Sequence, residues 1–176
     1  MSRLQAVDPS RCTGRAKEIF EGPLKGKAFN IFKSMGNSAA ALDGYLGLSG
    51  ALNGAGLSAA ERETVQLAIG EANNCGYCVA AHTAIGTGAG LSEAQTVEAR
   101  RGHLKDARLN AVARFALAIH EKKGFVSDED VRAFRAAGYT DGHVAEVVAC
   151  YALAVFTNYF NHVNGTAVDF PAPPAI

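Results

Sequence analysis

Helix-start signals recur along this chain, and strand signals do not. Ser58-Ala-Ala-Glu61 and Ser92-Glu-Ala-Gln95 have the spacing of a capping box, in which a hydroxyl and the acid or amide three residues on satisfy each other's free backbone N–H. Val65, Leu67, Ala68 and Ile69 follow the first box, which predicts a helix from Ser58 to Asn73, where Asn73-Asn74 interrupts it. A second helix begins near Cys75 and ends at the glycines of Gly86-Thr-Gly-Ala-Gly90, a run read as a loop; a third opens at Ser92. After Asp106 the apolar set Leu109, Val112, Ala113, Phe115, Ala116 and Ile119 recurs at helical spacing until Gly124. Ser127 starts a short helix that stops at Gly138. Thr140-Asp141 caps a long apolar one, with Val144, Val147, Val148, Tyr151, Val155, Phe156 and Tyr159 in a wide stripe. Upstream, Ala39 to Leu52 is another helix, with shorter ones at Ala16 to Phe20 and Phe29 to Met35. No segment alternates strictly between apolar and polar residues. The predicted fold class is all-α.

With 176 residues the chain is expected to form one domain, residues 1–176, with a substantial core. Lys plus Arg equals Asp plus Glu at 17 each, so no charge bias points to nucleic acid or anionic lipid. The opening MSRLQAVDPSRC lacks the apolar stretch of a secretory signal, which predicts a cytoplasmic protein. The most apolar run, Val144 to Phe156, is interrupted by Glu146 and flanked by His143, Asn158, Asn161 and His162, and reads as a buried helix with no role in a membrane. Gly44, Gly47 and Gly50 are unfavourable inside a helix, and their spacing predicts close approach of another one. Either that face or part of the Val144–Phe160 stripe is expected to meet another copy of the chain in a homo-oligomer.

The chemistry concentrates in Glu71-Ala-Asn-Asn-Cys75-Gly-Tyr-Cys78-Val-Ala-Ala-His82. Offsets of three, four and seven residues bring Cys75, Cys78 and His82 onto one helix face. A Cys-x-x-Cys at a helix start suits a redox dithiol, because free amides and the positive end of the dipole stabilise a thiolate. On that argument alone Cys75, nearest the N-terminus, is the more reactive and more exposed thiol. Zinc is the rival, but only three ligands are offered where a structural site takes four, and His103, His120, His143 and His162 show no paired metal spacing. Val79 stands where haem attachment needs histidine. No metal or cofactor is expected. Cys150, in the apolar helix, is expected to be a core side chain, and Cys12 incidental. Asn164-Gly165-Thr166 reads as an Asn-Gly turn. Gly47-Leu-Ser-Gly50 and the Gly86–Gly90 run lack the preceding strand that a nucleophile elbow or a dinucleotide loop requires.

The string Leu57-Ser-Ala-Ala-Glu-Arg-Glu63-Thr-Val-Gln-Leu-Ala, followed by Asn-Asn-Cys75-Gly-Tyr-Cys78 and His82, resembles the core of the carboxymuconolactone decarboxylase and AhpD-like alkylhydroperoxidase family. The resemblance is specific over about residues 57–90, and Met35-Gly-Asn-Ser, Tyr45-Leu-Gly-Leu-Ser-Gly and Thr157-Asn-Tyr-Phe-Asn-His-Val-Asn-Gly-Thr extend it. It implies an all-helical bundle that forms homotrimers or homohexamers and reduces organic hydroperoxides through a dithiol/disulfide. A lipoyl or thioredoxin-like dithiol protein would be the reductant. Carried over by position, Cys78 attacks the peroxide, Cys75 resolves the sulfenic acid, and His82 with Glu63 forms the proton relay. Proximity of His82 one turn beyond Cys78 makes that order chemically sensible. Tyr77 departs from the pattern, since histidine precedes the second cysteine in the best-known peroxidases. Glu71 is the competing carboxylate; the break at Asn73-Asn74 is expected to turn it away while an antiparallel return brings Glu63 beside His82. The alternatives are a carboxymuconolactone-decarboxylase-like enzyme, against which the paired cysteines argue, and a non-catalytic redox-sensing or interaction subunit.

Overall fold

The structure is a computed structural model that describes residues 2–176. Among them are nine α-helices, one 3₁₀ turn at Pro9–Arg11 and no strand: α1 Gly14–Glu21, α2 Asn30–Met35, α3 Ala39–Leu52, α4 Ala59–Ala72, α5 Gly76–Gly88, α6 Glu93–Arg100, α7 Ala107–Glu121, α8 Asp128–Ala136 and α9 Asp141–Asn164. The all-α reading is correct. Both anticipated capping boxes are formed: Ser58 and Glu61, and Ser92 and Gln95, exchange side-chain and backbone hydrogen bonds. Ser127 with Asp130 and Thr140 with His143 add two more.

Helix α4 is the axis of the bundle and packs against α5, α6, α7 and α9. Burial from Thr64 through Gly70 leaves it no solvent face along that stretch. Val65, Leu67 and Ile69 are fully enclosed, a contribution of about 1.5–3 kcal/mol for each side chain. One core cluster joins α4 to α7, α8 and α9 through Val65, Ile69, Val112, Phe134 and Val147. A second gathers α1, α2 and α3 around the start of α5 through Ile19, Phe20, Met35, Leu42, Cys75, Tyr77 and Cys78. The Cys-x-x-Cys motif thus lies inside a hydrophobic cluster.

Several expectations need correction. The Gly86–Gly90 run is mostly helix, because α5 continues through Gly88 and only Gly90, at φ +99°, turns the chain. Gly86 is helical for a packing reason: a Cβ there would lie 3.1 Å from Leu91. Gly44, Gly47 and Gly50 receive no neighbouring helix within the chain; their shared stripe faces solvent while Leu42 and Leu52 face the core. The long apolar helix is only partly buried. Its 24 residues are long and apolar enough to cross a membrane, but α9 packs on α3, α4, α5 and α7 through Val147, Cys150, Leu153 and Ala154 and leaves Val148, Phe156 and Tyr159 exposed. Helix α7 ends at Glu121, before Gly124. Asn164 is the last helical residue of α9, and the left-handed Gly165 that follows closes it.

Candidate active site

The site is made by the way α4 ends. Asn74 is left-handed at φ +55°, its N–H reaches the Glu71 carbonyl, and the Cys75 N–H reaches the Gly70 carbonyl, the two bonds of a Schellman motif. Cys75, the residue that completes that motif, is also the N-cap of α5: its sulfur accepts the Cys78 N–H at 3.3 Å. One residue therefore closes one helix and opens the next. Cys75 and Cys78 are joined as a disulfide with Cα atoms 5.3 Å apart, within the range a bridge requires. Their side chains are 1 % and 2 % exposed, so the expectation of an open Cys75 is not met; the aromatic and aliphatic side chains of α1, α2 and α3 close over it.

The antiparallel return of α5 brings Glu63 alongside. A Cβ placed on Gly86 would lie 3.5 Å from the Glu63 Cβ, so the two positions are level, and Glu63 reaches back one turn to His82. Nδ1 of His82 lies 2.7 Å from Oε2 of Glu63, with side chains 18 % and 15 % exposed. A carboxylate only accepts, so Nδ1 is the donor of this bond, and Nε2 is the ring nitrogen turned away from Glu63. Glu71 goes elsewhere. It receives Arg100 Nε at 2.8 Å, and Arg100 also donates to the Pro174 carbonyl. Among the described residues no cluster of three or more His, Cys, Asp or Glu side chains is arranged to hold a metal ion.

Tyr77 is buried and fastens segment 166–176 to the start of α5. Its hydroxyl donates to Asp169 at 2.7 Å, and Asp169 also receives the Asn30 N–H. Phe170 packs edge-on against the Tyr77 ring and against Phe29. Burial, and then the Asp169 carboxylate, push the Tyr77 phenol well above its ordinary pKa, so it remains a proton donor to Asp169. Cys150 is buried, free and held up at about 11 by desolvation.

Sequence reasoning passed over the side chains that α9 contributes. Asn161, 4 % exposed, directs Nδ2 at the Cys78 sulfur at 3.3 Å, and Asn158 accepts from Asn73, the C-cap of α4, at 2.9 Å. Asn158 and Asn161, four and seven residues beyond Ala154 on the buried face of α9, were the available signal. Asp169 had none, because segment 166–176 carries no periodicity.

The helical bundle that carries this hairpin has the AhpD-like all-α fold. Residues 39–122 match the carboxymuconolactone decarboxylase family model. The fold is similar to the alkylhydroperoxidase AhpD core of an uncharacterized peroxidase-related protein from Ralstonia eutropha JMP134. The TM-score is 0.85 at 23% identity, covering 96% of this chain and 92% of the other. An uncharacterized peroxidase-related protein from Silicibacter sp. TM1040 gives a TM-score of 0.79 at 19% identity over 95% and 94%. The debrominase Bmp8, as a cysteine-to-alanine variant with 2,3,4-tribromopyrrole, gives 0.75 at 18% over 98% and 96%. No curated protein matches the chain.

Proposed function

We propose that the protein is a thiol-dependent peroxidase that reduces organic hydroperoxides. The observation that carries this reading is the Cys75–Cys78 disulfide at the start of α5 with the Glu63–His82 pair one turn beyond it on the same hairpin. A dithiol reductant opens the disulfide. Nε2 of His82 takes the Cys78 thiol proton, and the thiolate attacks the distal oxygen of the hydroperoxide. The O–O bond breaks, the OH stays on sulfur as Cys78 sulfenic acid, and the leaving alkoxide takes the proton back from His82 as the alcohol departs. Cys75 then condenses with the sulfenic acid, releasing water and restoring the disulfide. Glu63 orients His82 and stabilises its charged form.

The reductant in this reading is a lipoyl or thioredoxin-like dithiol protein, and the working form is a cytoplasmic homotrimer or homohexamer. The exposed Val148, Phe156 and Tyr159 face of α9 supports association. The deciding experiment measures peroxide consumption with dihydrolipoamide, thioredoxin-like and glutathione-based reductants side by side. Many equivalents consumed per subunit support a catalyst. A single equivalent with every reductant would leave only the redox sensor.

A further inference from the structure

From the placement of Asn161 we infer that this side chain selects Cys78 as the attacking thiol by holding its thiolate; the inference rests on the peroxidase reading for its role in turnover. At the start of α5 the backbone favours the other cysteine, since the Cys75 sulfur at the N-cap receives the Cys78 N–H. Cys78 has its donor from outside the hairpin, the Nδ2 of Asn161 on α9 at 3.3 Å. A donor that meets a neutral sulfur weakly meets a thiolate as a charge-assisted hydrogen bond, and so favours the ionised form of that one residue.

The cost of keeping an amide there shows that its N–H is used. Asn161 is 4 % exposed and its Oδ1 has no hydrogen-bond partner within the chain; nor has Nδ2 of Asn158 one turn earlier. An apolar side chain would satisfy α9 better at both places. Asn158 is explained by its bond to Asn73 at the end of α4, which fixes the junction from outside. Asn161 has only the sulfur. It is a positioning residue that acts through Cys78.

The test is the pH titration of thiolate ultraviolet absorbance in a reduced Cys12→Ser, Cys75→Ser background, where Cys78 titrates alone below the Cys150 value of about 11. His82 on α5, Glu63 on α4, Tyr45 on α3 and the Tyr77–Asp169 pair are unchanged in every variant. Asn161→Leu should raise the Cys78 midpoint by about one to two pH units, and Asn158→Leu should leave it unmoved. Should Asn161→Leu fail to fold, the nearly isosteric Asn161→Asp removes the same N–H and should raise the midpoint further. An unchanged midpoint in a folded Asn161 variant overturns the inference, as do equal shifts at 158 and 161, which would indicate general loosening. The titration needs no peroxide, so absent turnover with the shift present would fault the peroxidase reading and not this one.

Discussion

Glu63 and Glu71 lie eight residues apart on one helix, and the structure gives them separate tasks that two matched substitutions distinguish. In Glu63→Gln the side chain keeps its shape, and its amide oxygen can still accept from Nδ1 of His82, but the charge behind the 2.7 Å contact is gone. Hydrogen bonds to charged groups are worth about 1.5–3 kcal/mol, so losing that charge support in the transition state should slow peroxide turnover about 10- to 10²-fold. Stability should hardly change, since both side chains keep partial contact with water. Glu71→Gln works in the opposite sense. Arg100 is 8 % exposed at its side chain and would keep an amide oxygen and the Pro174 carbonyl as acceptors but lose its counter-charge. Because Glu71 itself is 29 % exposed, the cost falls between that of a surface and a buried pair, about 2 kcal/mol, or about 4–8 °C in Tm for a chain of this size. Turnover with an organic hydroperoxide and a dithiol, beside thermal unfolding followed by circular dichroism, reads both. The reverse ranking in turnover, with both variants folded, would refute the assignment of the carboxylate.

All three thiols are buried, but desolvation holds Cys150 at about 11 whereas the Cys75 and Cys78 sulfurs each receive an N–H, so after reduction Cys150 should be alkylated more slowly at pH 8 than the pair; peptide mapping with and without denaturant checks this. Glu61 is buried, which raises its pKa, but bonds from Tyr139, Ser58 and Arg108 outweigh burial and the net shift is downward. Its folded pKa lies below the unfolded one, so its contribution is present above the ordinary carboxylate range and lost as pH falls through the folded value. Glu61→Gln should therefore flatten the acid limb of the stability curve, and an unchanged slope in denaturant titrations down to pH 3 would contradict it. Asp169→Ala frees the Tyr77 hydroxyl and should speed reduction of the Cys75–Cys78 disulfide by a small dithiol several-fold with little change in Tm; an unaltered rate would mean that segment 166–176 does not limit access.

The fold was legible in the sequence because its helices are bounded by side chains with one local job each. Ser58, Ser92, Asp106 and Thr140 accept the amide three residues on, and this depends on no other part of the molecule. The turn at Asn73-Asn74 was legible for the same reason, and with it the separation of Glu63 from Glu71. What stayed hidden depends on which surfaces meet. Exposure of Cys75 was misread because helix position says nothing of the side chains that α1, α2 and α3 fold over it. The glycines of α5 were misread as a loop because the reason for Gly86 is Leu91 and Glu63, brought together only by the hairpin. Asn161 was passed over because its partner is a sulfur 83 residues away in the chain.

The Schellman end of α4 sets how the Cys75–Cys78 bond is made. A Cα separation of 5.3 Å is ordinary for positions three apart at a helix start, so the two sulfurs are brought together by backbone already in place, with no loop to close. The effective concentration of one sulfur before the other belongs to the well-oriented intramolecular class, in which values reach about 10⁵ M or more. A dithiol that reduces the pair must reach sulfurs on residues that are 1 % and 2 % exposed, past the side chains of α1, α2 and α3 packed around them.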